Sequence, residues 1–166
     1  MKEKISYKVS SFIDYKNIEH KFVVAAVSEV LDEPIWFAGG FFMNKRISIG
    51  VSICNPDDTF NETTGAAAAI NRARNNYVNA LYTHEAGLIG TKMVEGLLDQ
   101  EIKHVQTNPG KYIKGYDEAA AKYTKHHAAI DTYVAMSDEE KGRIDWLASL
   151  DINTLKSYMD LIKHIA

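Results

Sequence analysis

Cysteine is nearly absent: Cys54 stands alone, so the chain can form neither an internal disulfide nor a cysteine-based zinc cluster, and its stability must come from a packed core. Long apolar runs are missing too. None reaches the roughly eighteen residues of a membrane span, and Met1-Lys-Glu-Lys-Ile-Ser-Tyr-Lys8 contains no stretch of signal-peptide length. The expectation is a cytoplasmic protein that does not engage membranes. There is no excess of basic charge: 19 Lys and Arg against 22 Asp and Glu give a net charge of -3. Duplex nucleic acid, whose grip needs a dense cationic field, is therefore not expected as a partner, while the charge balance still permits a small anion held by two or three cations. The sequence also lacks a Walker loop, a Gly-x-Gly-x-x-Gly fingerprint, a Gly-x-Ser-x-Gly elbow and a His-Glu-x-x-His pair. No catalytic centre, metal site or cofactor is expected.

What is present points to an α+β protein. The 166 residues, 46% hydrophobic and 25% charged, have the size of one globular domain with a small appendage. In the first third, Ile5, Tyr7 and Val9 alternate with polar residues, Phe22-Val-Val-Ala-Ala-Val27 follows, and Arg46-Ile-Ser-Ile-Gly-Val-Ser-Ile53 alternates strictly. Asp14-Tyr-Lys-Asn17, Asp32-Glu-Pro34 and Met43-Asn-Lys-Arg46 offer turns between them. The spacing predicts an antiparallel meander of about four strands between Lys4 and Cys54. Phe22 to Leu31 also fits a helical period, and strand is the preferred assignment. After Thr63 apolar residues recur three and four apart. Ala66, Ala69, Ile70, Ala73, Tyr77, Ala80 and Leu81 form the stripe of a long helix starting near Thr64, with Asn61, Thr63 or Thr64 as cap. Further helices are predicted over Leu88 to Val105, as a second helix or a continuation of the first bent near Gly87 and Gly90, over Asp117 to Ala135, from the capping box Ser137-Asp-Glu-Glu140, and over Asn153 to Ile165. Asn108-Pro-Gly110 marks a soft boundary between a ligand-binding core, 1–107, and a helical extension, 108–166.

The chemically informative stretch runs from Ile47 to Arg74. Three of the four arginines, Arg46, Arg72 and Arg74, flank this strand-turn-helix unit, while the fifteen lysines are scattered; arginine grips phosphate and carboxylate through a planar fork. Gly65, Ala68 and Arg72, at i, i+3 and i+7, share a nearly bare helix face opposite the stripe. A ligand could approach the backbone there, with first-turn amides and Arg72 favouring an anion, and Asn75, Asn76 and Asn79 continue that side. An ordinary alanine helix with a solvated Arg72 fits the same residues. Asp57 and Asp58 read as turn chemistry. Trp36, Phe37, Phe41 and Phe42 around Ala38-Gly-Gly40 fit a packed strand core, and Phe41 and Phe42 are also candidates for stacking on a base. The six histidines show no metal-ligand spacing, and Cys54 has no neighbouring base.

Ser52-Ile-Cys-Asn-Pro-x-Asp-x-Phe60, followed by Gly65-x-x-x-Ala69-x-x-Arg72-Ala73, resembles a pattern of small phage proteins, the first Thoeris anti-defence family. The resemblance covers about Arg46 to Ala73. It implies an N-terminal antiparallel sheet with C-terminal helices, homo-oligomers with ligand pockets at subunit interfaces, and sequestration of a cyclic signalling nucleotide, glycocyclic ADP-ribose or a cyclic oligonucleotide, without cleavage. Asn55 and Arg72 fall on the family's ligand-contacting positions, and the location implied is the host cytoplasm. The helical extension after Asn108 is longer than the family needs. A phage structural or assembly protein working through its helical tail is the alternative, and a nucleotide-acting enzyme using Asp57, Asp58 and a distant histidine is a third.

Overall fold

The computed structural model describes residues 2–40, 42–84 and 87–165. Alternation in the first third builds three long strands, β1 (Lys2–Ile13), β2 (Glu19–Trp36) and β3 (Phe42–Ile53). They are followed by α1 (Glu62–Asn75), a short β4 (Leu81–Thr83) and α2 (Gly87–Thr107). A single 3-10 turn, Pro109–Lys111, leads to α3 (Tyr116–Val134), α4 (Asp138–Ser149) and α5 (Ile152–Ile165). The strands form one antiparallel sheet in the order β1-β2-β3-β4. Phe22 to Leu31 is strand throughout, paired with β1 on one side and, as far as Val30, with β3 on the other.

Two of the expected turns are not turns. Asp32-Glu-Pro34 lies within β2, where the pairing with β3 slips between Val30 and Ile35; an irregularity of this kind accommodates a proline that a regular ladder would reject. Met43 to Arg46 lies inside β3. The reversal falls between Trp36 and Phe42, where Gly39 and Gly40 take φ of 102° and 81°, a region open to glycine and costly for other residues. The fourth strand, β4, follows α1 instead of preceding it.

Period-2 alternation gives the sheet two faces with different helices on them. Val23 and Ala25 meet Ala66 and Ala69 of α1, with Phe60 and Ile70 at the margin. On the opposite face Phe12, Phe22, Val24, Ala26 and Ile47 pack on Val94, Leu98 and Val105 of α2. The α1 side is unusually close. A Cβ on Gly50 would stand 2.1 Å from the Ala69 carbonyl oxygen and 2.4 Å from the Ala73 nitrogen, so the helix backbone lies directly on the strand and the alanine run is what permits it. The helix begins at Glu62, with Asn61 Oδ1 accepting from the Thr64 amide at 2.9 Å. It ends at Asn75, short of the sequence stripe; Tyr77 lies beyond it with its ring 4.2 Å from the Arg46 guanidinium, and Leu81 is in β4.

Cross-strand charges close the end of the sheet near the α1 C-terminus. Glu29 and Arg46 are opposite each other and form an ion pair with both side chains buried, and Glu3, opposite Glu29 on the other side, is paired with Arg74 at 2.8 Å. A buried pair of this kind is a matter of mutual dependence, because either charge alone would be left desolvated.

The chain divides into two compact units, Met1–Tyr116 and Asp117–Ala166. The boundary lies beyond Asn108 to Gly110 because Tyr112, Ile113 and Tyr116 pack against the sheet core. In the second unit Ser137 and Glu140 form the reciprocal capping box, the Tyr133 hydroxyl donates to Asp145 at 2.8 Å, and none of the described side chains is buried.

Gly50→Ala is expected to destabilise the first unit by about 3 kcal/mol, since overpacking here meets helix backbone and not a flexible side chain. Glu29→Ala is expected to cost about 3–5 kcal/mol by stranding Arg46. Urea unfolding followed by circular dichroism checks both, and an unchanged midpoint for Gly50→Ala would mean that α1 sits farther from the sheet.

Candidate functional site

Beyond its pairing with β4, β3 has an open edge from Ile49 to Ile53, and α1 reaches over it. Arg72 Nη1 donates to the Val51 carbonyl at 2.6 Å and Asn76 Nδ2 to the Ile49 carbonyl at 2.9 Å. These side chains satisfy backbone acceptors that an unpaired strand would present to other chains. Arg72 is therefore not a free charge on a bare helix face. Gly65 and Ala68 share a flank of α1 with it, yet Gly65 faces the sheet, its Cβ position 3.0 Å from Val23 Cγ2. Asn75 donates to the Asn71 carbonyl, and Asn76 Oδ1 accepts from the Asn79 amide, so the asparagine row turns inward to its own backbone.

Around this edge two hollows meet at Asn55. One, of about 480 Å³, is lined by His20, Val51, Ile53, Cys54, Asn55, Pro56, Arg72, Tyr112, Ile113 and Lys114. The other, of about 500 Å³, runs along the strand-to-helix loop and includes Asn55, Phe60, Asn61, Thr64, Gly65 and Ala68. Asn55 and Arg72 thus border one hollow, and Asn55, Gly65 and Ala68 the other. The first-turn amides are less available to an anion than the sequence implies, because Asn61 takes the Thr64 amide and its carbonyl takes that of Gly65 at 2.9 Å. Asn55 Oδ1 accepts from the Asp57 amide at 3.2 Å, an Asx turn. This leaves the Asn55 amide nitrogen as the end able to donate to a ligand, and gives Asp57 and Asp58 the turn role that the sequence suggests.

Phe42 is elsewhere. It stacks at a tilt with Trp36, 5.1 Å between centroids, and with His84 at 4.9 Å, at the start of β3. Eleven residues of strand, roughly 35 Å, separate it from Ile53, so within one chain it does not wall a ligand held at Asn55 and Arg72. Phe41 lies outside the described residues. The aromatic side chain that does border the first hollow is Tyr112, whose hydroxyl donates to Glu101 at 2.6 Å. Burial, and next the Glu101 carboxylate, push that hydroxyl above the usual phenol range.

His20 is a contributor that sequence reasoning passed over. Its Nε2 is 2.7 Å from Asp14 Oδ2, both side chains being buried, and its ring stacks on Phe12, 4.8 Å between centroids and 4° from parallel. Asp14 Oδ1 accepts from the amides of Lys16 and Ile18 at 2.8 and 2.9 Å. Burial pushes the Asp14 carboxyl up, but hydrogen bonds from His20, Ile18 and Lys16 together outweigh it and hold the group below its ordinary range. The available signal was an acid and a histidine six apart across a hairpin turn, which the β1–β2 register brings together.

The lining of the first hollow has basic side chains and no acidic one, while Asp14 and Glu101 stand behind it, bonded to His20 and Tyr112. Among the described residues lining it there are Arg72, Lys114 and His20 but no Asp or Glu. A groove of about 490 Å³ between α2 and β1 makes the contrast: it has Lys2, Lys4, Lys8 and Lys45, yet Glu3, Glu29 and Glu95 line it as well, and Lys8 is paired with Asp99 at 2.7 Å. Among the described residues no group of three or more His, Cys, Asp or Glu is placed to hold a metal ion, and no helix is long and apolar enough to cross a membrane. Comparison with family models, with curated proteins and with solved structures finds no match for the chain.

A carboxylate held below its unfolded value stabilises the fold above that value, and the contribution is lost as the pH falls through the folded one. Asp14→Asn is therefore expected to be less stable than wild type at neutral pH, with the gap narrowing below about pH 4. Thermal melts between pH 3 and 7 check this; a gap independent of pH would show that the Asp14 charge is not involved.

Proposed function

We propose that the protein binds and holds a small phosphorylated signalling nucleotide, glycocyclic ADP-ribose or a cyclic oligonucleotide being the class in view, without cleaving it. The observation that carries this reading is the hollow at the β3 edge, which Arg72, Lys114 and Asn55 line with no carboxylate among its described lining residues. Its volume is within the range of small-molecule sites. The resemblance of Ser52–Phe60 and Gly65–Ala73 to the Thoeris anti-defence sponges supports the choice of ligand and a phage role in the host cytoplasm. Sequestration asks for anion recognition and a surface for the base to stack on, but for no nucleophile or proton shuttle. The Cys54 thiol, the one sulfur nucleophile at the groove, donates to the Asn55 and Asp58 carbonyls at 3.3 and 3.8 Å, an arrangement that occupies it in its own loop.

The test is to mix the purified protein with cyclic ADP-ribose isomers and cyclic di- and trinucleotides, remove unbound ligand, denature, and identify what is released. Intact nucleotide supports sequestration; an altered product makes the protein an enzyme, and no uptake removes the reading. Lys114→Ala is expected to weaken binding about tenfold, the loss of one charge-assisted contact. Arg72→Ala should weaken it ten- to a hundredfold and also cost about 1 kcal/mol of stability, because the Val51 carbonyl loses its donor. Titration calorimetry alongside urea unfolding separates the two effects, and nucleotide binding unaffected by both changes would move the site elsewhere.

A structural or assembly role has one specific observation in its favour. In the second unit Trp146, Ile152, Met159 and Leu161 are about half or more exposed, surface that protein contacts would cover. Both readings propose self-association, and light scattering is expected to give a mass above the 18.6 kDa of one chain; a value equal to it would remove the homo-oligomer.

A further inference from the structure

β1 is an edge strand, and its register fixes which way its backbone groups point. The Lys21 carbonyl accepts from the Cys54 amide, just past β3, at 2.9 Å. Lys21 is therefore turned toward β3, and Ser11, opposite it in the ladder, is turned away from β2. Backbone direction alternates along a strand, which gives Glu3, Ile5, Tyr7, Val9 and Ser11 the outward N–H and C=O groups. Two side-chain contacts agree: the Gln106 amide reaches the outward Ser11 carbonyl at 3.0 Å, and the Ser28 hydroxyl of β2 donates to the inward Lys4 carbonyl at 3.4 Å. Among the described residues none bonds the outward backbone groups of Glu3, Ile5, Tyr7 or Val9.

The two long edges of the sheet thus differ. At β3, the short β4 pairs with Lys45 to Ile47, and Asn76 and Arg72 take the Ile49 and Val51 carbonyls. At β1 the stretch from Glu3 to Val9 is a ready template for another strand. Ile5, Tyr7 and Val9 are exposed apolar side chains there, all on the α1 face, where the Tyr7 hydroxyl donates to Glu62 at 3.1 Å. Lysines commonly guard such edges, but Lys4 and Lys8 project from the opposite face, and Lys8 is paired with Asp99.

The strand is also complementary to itself. In an antiparallel junction outward residues stand opposite outward residues, so a two-fold axis passes through a residue. With the axis at Tyr7, Ile5 faces the partner's Val9, Lys4 the partner's Ser10 and Lys8 the partner's Ser6, and no like charges stand opposite. Moving the axis to Ile5 sets Lys2 against Lys8, to Ser6 sets Lys4 against Lys8, and to Lys8 sets that residue against itself, each unfavourable.

We propose that the β1 edge from Ile5 to Val9 is an interaction surface for a second copy of the chain, the two strands pairing antiparallel about Tyr7 and joining two sheets into one. About six backbone hydrogen bonds form across the junction, and the Ile5, Tyr7 and Val9 side chains of the two copies cover one another on the α1 face. The same patch meets itself, so the contact closes as a pair instead of growing into a fibre. It does not depend on the nucleotide reading, and it gives the self-association expected above a place and a register.

Cysteine cross-linking reads that register. In a Cys54→Ser background, Tyr7→Cys puts two thiols on the axis with Cα atoms about 5.5 Å apart, within disulfide range, and mild oxidation is expected to convert most of the protein to a covalent dimer. Val9→Cys, on the same exposed face, puts them roughly 14 Å apart and should stay single. Charge exchange is the second measurement. Ile5→Lys or Val9→Glu alone should raise the dimer dissociation constant about tenfold or more, since each change enters twice. The double variant sets Lys against Glu in both pairs and should return to within about threefold of wild type. No cross-link at Tyr7, equal cross-linking at Tyr7 and Val9, or no recovery in the double variant would each overturn the proposal. A mass above one chain without the Tyr7 cross-link would move the contact elsewhere, for instance to the exposed apolar residues of the second unit. Nucleotide binding by a protein that stays a single chain would overturn the pairing and leave the ligand reading in place.

Discussion

The contact on which the rest of the first unit depends is the approach of the α1 backbone to Gly50. With the Ala69 carbonyl and the Ala73 nitrogen that close to the strand, only glycine fits below and only alanine above, and the helix is brought within side-chain reach of the β3 edge. Had α1 stood at the distance set by leucine or valine side chains, the Arg72 guanidinium and the Asn76 amide would not reach the Val51 and Ile49 carbonyls. The small residues thus do two things at once. They form the α1 side of the core with Val23 and Ala25, and they place polar side chains where an unpaired strand would otherwise expose its acceptors.

Charge is distributed unevenly along the sheet as a consequence. Near the α1 C-terminus, acids and bases are matched one to one: Glu29 with Arg46, Glu3 with Arg74, and the Tyr77 ring over the Arg46 guanidinium. The pairing follows the register, since Glu3, Glu29 and Arg46 succeed one another across three strands. At the other end of β3, Arg72 is held by a carbonyl instead of a carboxylate, so its full charge is not cancelled, and Lys114 lies on the same hollow. A neutral carbonyl positions a guanidinium without neutralising it, and the fork has further N–H groups to offer. That is the electrostatic difference between Arg46, whose charge a carboxylate matches, and Arg72, held by a backbone carbonyl.

Local features of the sequence were legible wherever the physics is local. Alternation in Ile5 to Val9 and Arg46 to Ile53 identified strands, the Ala66, Ala69, Ala73 stripe identified the buried face of α1, and Ser137 with Glu140 marked the start of α4. What failed needed information from across the sheet. Pro34 looks like a turn residue until the pairing partner is known to slip beside it; Tyr77 continues a helical stripe until Arg46 gives it a different partner. The same limit applies to the site. Arg72 was singled out through type and spacing and Asn55 through the resemblance alone, whereas Lys114, which lines the same hollow, comes from a segment far along the chain and His20 from the neighbouring strand β2. Phe42 was grouped with them on the chemistry of stacking alone, and the length of β3 puts it at the far end.

The Asp14–His20 pair shows why residue type is a poor guide to role in this chain. Asp14 is a turn residue by sequence, and it does close the hairpin: its Oδ1 takes the Lys16 and Ile18 amides, with Asn17 between them at φ 62°. Yet its second oxygen also fixes His20, with both side chains buried. A carboxylate engaged by two amides is a stronger anchor for an imidazole than a solvated one, since it neither rotates away nor readily takes up the proton itself. The turn that sets the register of the sheet therefore also holds the His20 ring in place beside the hollow that Arg72 and Lys114 line.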